Sequence, residues 1–175
     1  GEAFNRRVVV KSSERISRKL SNEGYAFANV NWIPEIDEEN KTVAITFFVD
    51  PGKRVYVNRI NIRGNSRTRD EVVRREFRQM EAALFSSDKL KLSRQRAQRT
   101  GYFEDVSVET PTVPNSPDEV DINVEVAEKP SGSLLAGVGY SQGDGVILNA
   151  SIAQDNFFGT GKKVSLALKT SSANR

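Results

Sequence analysis

Cysteine and histidine are both missing from the 175 residues of this chain. The first absence excludes disulfides, iron–sulfur clusters and thiolate zinc sites, and the second removes the commonest metal ligand and general base. Catalysis would have to rest on carboxylates, lysines or hydroxyls. The acidic pairs Glu38-Glu39 and Asp118-Glu119 fall in expected turns, where solvation accounts for them. No catalytic residue, metal or cofactor is assigned. Also lacking is any run of about 18 apolar residues, which excludes a spanning helix but not spanning strands, whose hydropathy signal is much weaker. An excess of one charge is nearly absent too, since 26 Lys+Arg against 23 Asp+Glu leave only +3. That balance does not choose between nucleic acid and lipid headgroups as an anionic neighbour.

What is present is a repeat. Gly24-Tyr25 recurs as Gly101-Tyr102, and the offset 101 − 24 = 77 also carries Pro34 onto Pro111. The same offset maps Val43, Ile45, Phe47 and Val49 onto Val120, Ile122, Val124 and Val126, two alternating sets of the half-buried strand type. Each copy reads helix, glycine stop, strand, turn, strand. The first has Ile16 and Leu20 one turn apart before Gly24, then strands near Ala28–Ile33 and Thr42–Val49 joined by an Asp37–Asn40 turn. The second has a helix over Asp88–Thr100, then Val106–Thr110 joined to Glu119–Val126 through Pro114-Asn115-Ser116-Pro117. Ahead of it lie a strand at Tyr56–Arg63, a Gly64-Asn65 turn and a further helix. The Thr68-x-x-Glu71 spacing predicts a capping box for that helix, and Val73, Phe77, Met80 and Leu84 its buried stripe. The complete unit is thus strand, helix, helix, strand, strand over Val55–Lys129. The first copy lacks its opening strand and most of its first helix, so the chain is expected to be a fragment cut inside a domain.

Beyond Pro130 charge nearly vanishes and glycine rises. Three strands are expected, Leu134–Ser141, Val146–Gln154 and Lys163–Thr170. One face carries Leu134, Ala136, Val138 and Tyr140, then Val146, Leu148, Ala150 and Ile152, then Val164, Leu166 and Leu168. The other carries Gly137 and Gly139, then Asn149 and Ser151, then Lys163, Ser165 and Lys169. Apolar-out and polar-in alternation over eight or nine residues is the pattern of a transmembrane barrel strand, and an ordinary half-buried meander shares it. Three such strands cannot close a barrel by themselves. The Gly159-Thr160-Gly161-Lys162 stretch between the last two resembles a phosphate loop only at a glance. Asn156 stands where such a loop needs glycine, Lys163 stands where it needs Ser or Thr, and a strand follows instead of a helix. It reads as a hairpin turn.

A basic α/β nucleic-acid module is a second reading. Arg63, Arg67, Arg69, Arg74, Arg75 and Arg78 form one basic stretch, and Lys89, Lys91, Arg94, Arg96 and Arg99 another. Asp70, Glu71, Glu76 and Glu81 interrupt the first, and no aromatic platform accompanies the second.

Three stretches carry a family resemblance: "GNSRTRDEVVRREFRQMEAALFSSDKL", "RTGYFEDVSVETPTVPNSPDEVDINVEV" and "GSLLAGVGYS…QDNFFGTG". They resemble the BamA family of outer-membrane protein assembly factors, and the resemblance runs over essentially the whole chain. It implies an α+β chain of tandem POTRA domains (β-α-α-β-β), a partial fourth at 1–50 and a complete fifth at 51–130. The first antiparallel strands of a transmembrane β-barrel would follow at 131–175. TamA-like and two-partner secretion transporters share this architecture, and the Arg-Gln-Met-Glu stretch at 78–81 favours BamA. The implied partners are BamD and the other Bam lipoproteins, unfolded outer-membrane proteins and outer-membrane lipid, with no nucleic acid and no cofactor. The implied place is the outer membrane, with POTRA domains in the periplasm. Arg74 and Glu81 match the family's BamD-docking positions, and Ser66 stands where an acidic contact residue is expected. Two strand edges are implied to take substrate by β-augmentation. One is Val106, Ser107, Val108, Glu109 and Thr110 of the POTRA domain. The other is the gate strand, Leu134, Leu135, Ala136, Gly137, Val138, Gly139 and Tyr140, where Gly137 and Gly139 remove cross-strand contacts worth roughly 0.2–1 kcal/mol each.

Overall fold

The computed structural model describes residues 3–143 and 145–171. The chain opens with α1 (Arg6–Asn22), followed by β1 (Asn29–Asp37) and β2 (Thr42–Asp50). The second repeat holds β3 (Tyr56–Arg63), α2 (Asp70–Arg74), α3 (Ser87–Arg99), β4 (Phe103–Glu109), β5 (Thr112–Val113) and β6 (Ser116–Glu128). Last come β7 (Gly132–Ser141), β8 (Gly145–Gln154), a 3-10 turn at Phe157–Gly159 and β9 (Val164–Ser171). Two compact units divide the chain. One takes the residues up to Asn61 with Phe77–Arg96 and Val108–Val124, the other Ile62–Glu76, Ala97–Ser107 and the residues from Glu125 on.

In the first unit the Asn5 side chain caps α1 by accepting from the Arg7 amide at 3.0 Å. The helix stops where Gly24 turns to φ +96°, and its counterpart Gly101 sits at φ +79°. The last helical residues also obey the repeat, 99 − 22 = 77. β1 and β2 pair antiparallel from Asn29↔Asp50 to Asp37↔Thr42. In their turn the Asp37 carboxylate accepts from both the backbone and the side chain of Asn40, at 3.0 and 2.8 Å. These bonds, the backbone one foremost, hold the Asp37 carboxyl below its usual range.

The sheet of the second repeat has the order β3-β6-β4, with β5 also pairing β6. Val120, Ile122, Val124 and Val126 are buried as their alternation predicts, as are Val55, Val57, Phe103 and Val106. The expected four-residue proline turn is shorter. Pro114 and Asn115 alone make it, Asn115 at φ +65°, and Ser116 and Pro117 already belong to the 13-residue β6.

The helix after β3 departs most from its pattern. α2 ends at Arg74 after five residues, its N-cap Arg69 makes no side-chain cap bond, and no capping box forms. Val73 and Phe77 are buried, whereas Leu84 is half-buried and Met80 is 64% exposed. The backbone of β3 wins the competition. Val57 donates to the Ala83 carbonyl at 2.9 Å, Ala82 donates to Val57 at 2.7 Å, and Phe85 donates to Val55 at 3.0 Å. Residues 78–84 are strong helix formers, so here tertiary bonding to the edge of β3 overrides local propensity. The fully buried Gln79 pins the segment from inside. Its amide nitrogen donates to the Leu84 carbonyl at 3.0 Å, and its oxygen accepts from Ser86 N at 3.0 Å.

Within the second unit β7, β8 and β9 form an antiparallel meander in that order. Its register aligns Leu134↔Ile152↔Leu166, Ala136↔Ala150↔Leu168 and Val138↔Leu148↔Thr170.

Candidate functional site

Alternation along β7–β9 is upheld in register, because pairs directly opposite point to the same side. The apolar side is bare: Leu134 is 76% and Tyr140 77% exposed, with Val138, Leu148, Ile152, Leu166 and Leu168 also open. On the other side lie Gly137↔Asn149↔Lys169, together with four apolar residues that the pattern did not place there, Leu135, Ile147, Ala153 and Ala167. No helix among the described residues is long and apolar enough to cross a membrane, which leaves strands untouched. β7 ends the strand order of this sheet, so Leu134 to Tyr140 all sit on a terminal strand. A Cβ added at Gly137 or Gly139 meets nothing within 4 Å.

The β3-β6-β4 sheet also has two ends, and they differ. β3 is met by residues 82–85 as described, and the Ile60 amide is taken by the Glu81 carboxylate at 2.8 Å. β4 is the other terminal strand. Val106 is buried on it, Ser107 and Val108 are half-buried and Glu109 is exposed, while Thr110 lies just past its end.

Arg74 and Glu81 do not share a helix face, since α2 stops at Arg74 and Glu81 lies in the turn beyond. Arg74 bonds the Asp70 carboxylate at 2.6 Å. Glu81, besides exposing itself to solvent, holds the Ile60 amide. Ser66 donates to Glu128 at 3.0 Å, so an acidic residue at 66 would set two carboxylates against each other.

The sequence pattern missed a polar junction in the second unit. Glu128, at the end of β6, accepts from Ser66 Oγ and Arg67 N at 3.0 Å each and from Thr68 N at 2.6 Å. Burial pushes its carboxyl up, but bonds from Thr68, Arg67 and Ser66 together outweigh this and hold it below the usual range. Thr68, expected as a cap, is buried and spends its hydroxyl elsewhere: Asn156 Nδ2 donates to Thr68 Oγ1 at 2.7 Å. Asn156 Oδ1 in turn accepts from Gly161 N at 2.8 Å, closing the loop between β8 and β9 on itself. Arg69 N donates to the Gly159 carbonyl at 3.0 Å, and Tyr102 Oη to that of Gly161 at 2.9 Å. A Cβ at 159 would overlap the Arg67 carbonyl, and the backbone there has φ +69°, so glycine is required on two counts. The stretch read as a hairpin turn does join β8 to β9. It is also a plug seated on the loop 64–69 between β3 and α2. Its only sequence signal was length, since residues 155–163 exceed what a tight hairpin needs.

The family model POTRA, "Surface antigen variable number repeat", matches residues 1–52 and 55–129, and the chain belongs to the POTRA family. Over most of its length it is further similar to the outer membrane protein assembly factor BamA. The Neisseria meningitidis serogroup B protein is 39% identical over 166 residues, 95% of this chain and 21% of that protein. The Buchnera aphidicola protein is 35% identical over 163 residues, 93% of this chain and 26% of that protein. The chain thus spans about a fifth to a quarter of these relatives. Among solved structures, BamA from Haemophilus ducreyi lacking POTRA domains 1–3 superposes with a TM-score of 0.87 at 40% identity, covering 98% of this chain and 32% of that one. The Haemophilus influenzae BamA POTRA3-5 structure gives a TM-score of 0.67 at 37% identity, covering 73% of this chain and 50% of that one.

Proposed function

We propose that this chain is the meeting point of a periplasmic POTRA arm and an outer-membrane β-barrel, in a factor that assembles outer-membrane proteins. Residues 1–50 belong to the fourth POTRA domain in this reading, 51–130 are the fifth, and 131–175 begin the barrel. The observation that carries it is the sorting of side chains on β7–β9: an exposed apolar face set against one that carries Asn149, Ser151, Ser165 and Lys169. Such a face is unstable in water and stable in hydrocarbon. The 98% coverage by a BamA barrel structure supports the same assignment.

The work is strand pairing without nucleotide hydrolysis. β7 and β4 offer backbone hydrogen bonds that accept any incoming strand whatever its side chains. Residues 81–85 engage the first part of β3, which favours β4 as the docking edge of the POTRA sheet. Arg74 and Glu81 lie on the surface that meets BamD, and lipid surrounds the apolar face. Photo-crosslinking residues placed at Leu135 on β7 and Ser107 on β4 test this. Both are expected to capture an unfolded outer-membrane protein during assembly, and a control at Asn40 is not. Adducts at Asn40 equal to those at both edges would defeat the proposal.

A further inference from the structure

At the foot of the apolar face the second unit forms a half-open pocket of about 370 Å³. Gln154 lines it, and Gln154 lies two residues beyond Ile152 on β8, opposite Gly132 and Val164, so it continues the apolar row by strand parity. From Tyr140 to Gly132 that row runs about 26 Å along the strand, which at the tilt of a barrel strand spans about 20 Å of depth, most of the outward apolar band of a membrane barrel. The pocket therefore sits where hydrocarbon gives way to headgroups on the POTRA side.

Its lining suits that level. Arg67 and Lys129 bring two exposed cations, neither in an ion pair among the described residues. The one carboxylate, Glu128, is already held by Ser66, Arg67 N and Thr68 N, so the net charge is positive. Ser131 adds a hydroxyl, bonded by Gln154 Nε2 at 2.7 Å. At the rim Phe158 is 79% exposed and held at φ +49°, in edge contact with Phe157 at 4.4 Å between ring centroids. A bulky aromatic in a left-handed backbone is a strained way to present a ring to solvent, and interfacial aromatics are the common use of such exposure.

We propose that this pocket holds the phosphate of an anionic phospholipid headgroup. Arg67 and Lys129 bind the phosphate, Phe158 lies at the glycerol level, and the acyl chains run up the β7–β9 face. The site rests on the reading of that sheet as membrane-spanning.

The test uses the full-length protein in nanodiscs of phosphatidylglycerol mixed with phosphatidylcholine, with retained lipids counted by native mass spectrometry. Arg67→Gln with Lys129→Gln keeps every backbone bond described above. It is expected to weaken phosphatidylglycerol retention by about tenfold or more, and retention of phosphatidylcholine, whose choline offsets its phosphate, by much less. Lys162→Gln, outside the pocket lining, should match the wild type. Unchanged retention in the double variant, or an equal loss in Lys162→Gln, overturns the site. Displacement of the lipid by millimolar inorganic phosphate that itself binds equally well overturns the lipid as its occupant. These 175 residues hold no cysteine, so once any cysteine elsewhere in the full-length protein is replaced, a spin label at Leu166→Cys reports the sheet alone. An aqueous signal there refutes the membrane reading, whereas a lipid signal with unchanged retention refutes only the pocket.

Discussion

Asn156 shows how one side chain fixes a larger arrangement. Its amide closes the 155–163 loop through Gly161 and fastens it to Thr68. Asn156→Ala leaves a buried hydroxyl and a loop amide without these partners, and a loss of about 1–3 kcal/mol is expected in chemical denaturation of the second unit. Glu128 makes the same junction sensitive to acid. Its folded-state pKa is depressed, so its contribution is complete above the unfolded value near 4.5 and is lost as pH falls through the lower folded value. Stability measured from pH 7 downward should therefore fall less steeply in Glu128→Gln than in the wild type below the ordinary carboxylate range. Glu81 requires a paired test because it holds the Ile60 amide as well as carrying charge. Glu81→Lys should weaken BamD capture in a pull-down. Glu81→Gln, which keeps an acceptor for Ile60, separates charge from turn geometry: capture equal to wild type in both variants removes Glu81 from the interface.

Among the elements, β7 and α2 show periodicity obeyed and overruled. β7 follows its alternation because its paired neighbour fixes which side each residue faces. The glycines at 137 and 139 have open space where a side chain would go, so Gly137→Val with Gly139→Val is expected to leave the β7–β8 hairpin intact. Side chains at 137 and 139 would also offer cross-strand contacts, roughly 0.2–1 kcal/mol each, to a strand paired on the edge of β7 away from β8, which should make that seam harder to part and slow assembly of substrate barrels. Normal assembly rates in reconstituted vesicles would count against glycine as the source of easy opening. α2 has an equally regular apolar spacing yet ends early, because its downstream residues are drawn into bonds with β3. Helical spacing at Met80 and Leu84 carried no information about that competitor.

For the whole molecule, the nucleic-acid reading weakens on the structure of its basic stretches. Arg69, Arg74 and Arg75 each lie within 4 Å of a neighbouring carboxylate, at Glu71, Asp70 and Glu76. Pairing of these three among the six arginines of the first stretch leaves fewer cations to displace the counterions condensed on a nucleic acid. RNA or DNA retention is accordingly expected to be negligible at about 0.15 M salt in a filter-binding assay. Robust retention there, falling linearly in log–log with added salt, would restore that reading.

The order of elements, the 77-residue repeat, the buried valine ladder from Val120 to Val126 and the two-faced strands after Pro130 were all legible in the sequence. Each is a local periodicity, and local periodicity survives folding wherever a single neighbour reads it. Only the tertiary structure decided that Thr68 serves Asn156 instead of α2, that residues 82–85 close β3, and that the Gly-Thr-Gly loop is a plug bound to the POTRA domain. Those outcomes depend on backbone donors and acceptors, which every residue but proline carries alike. Which of them meet is set by the three-dimensional path of the chain.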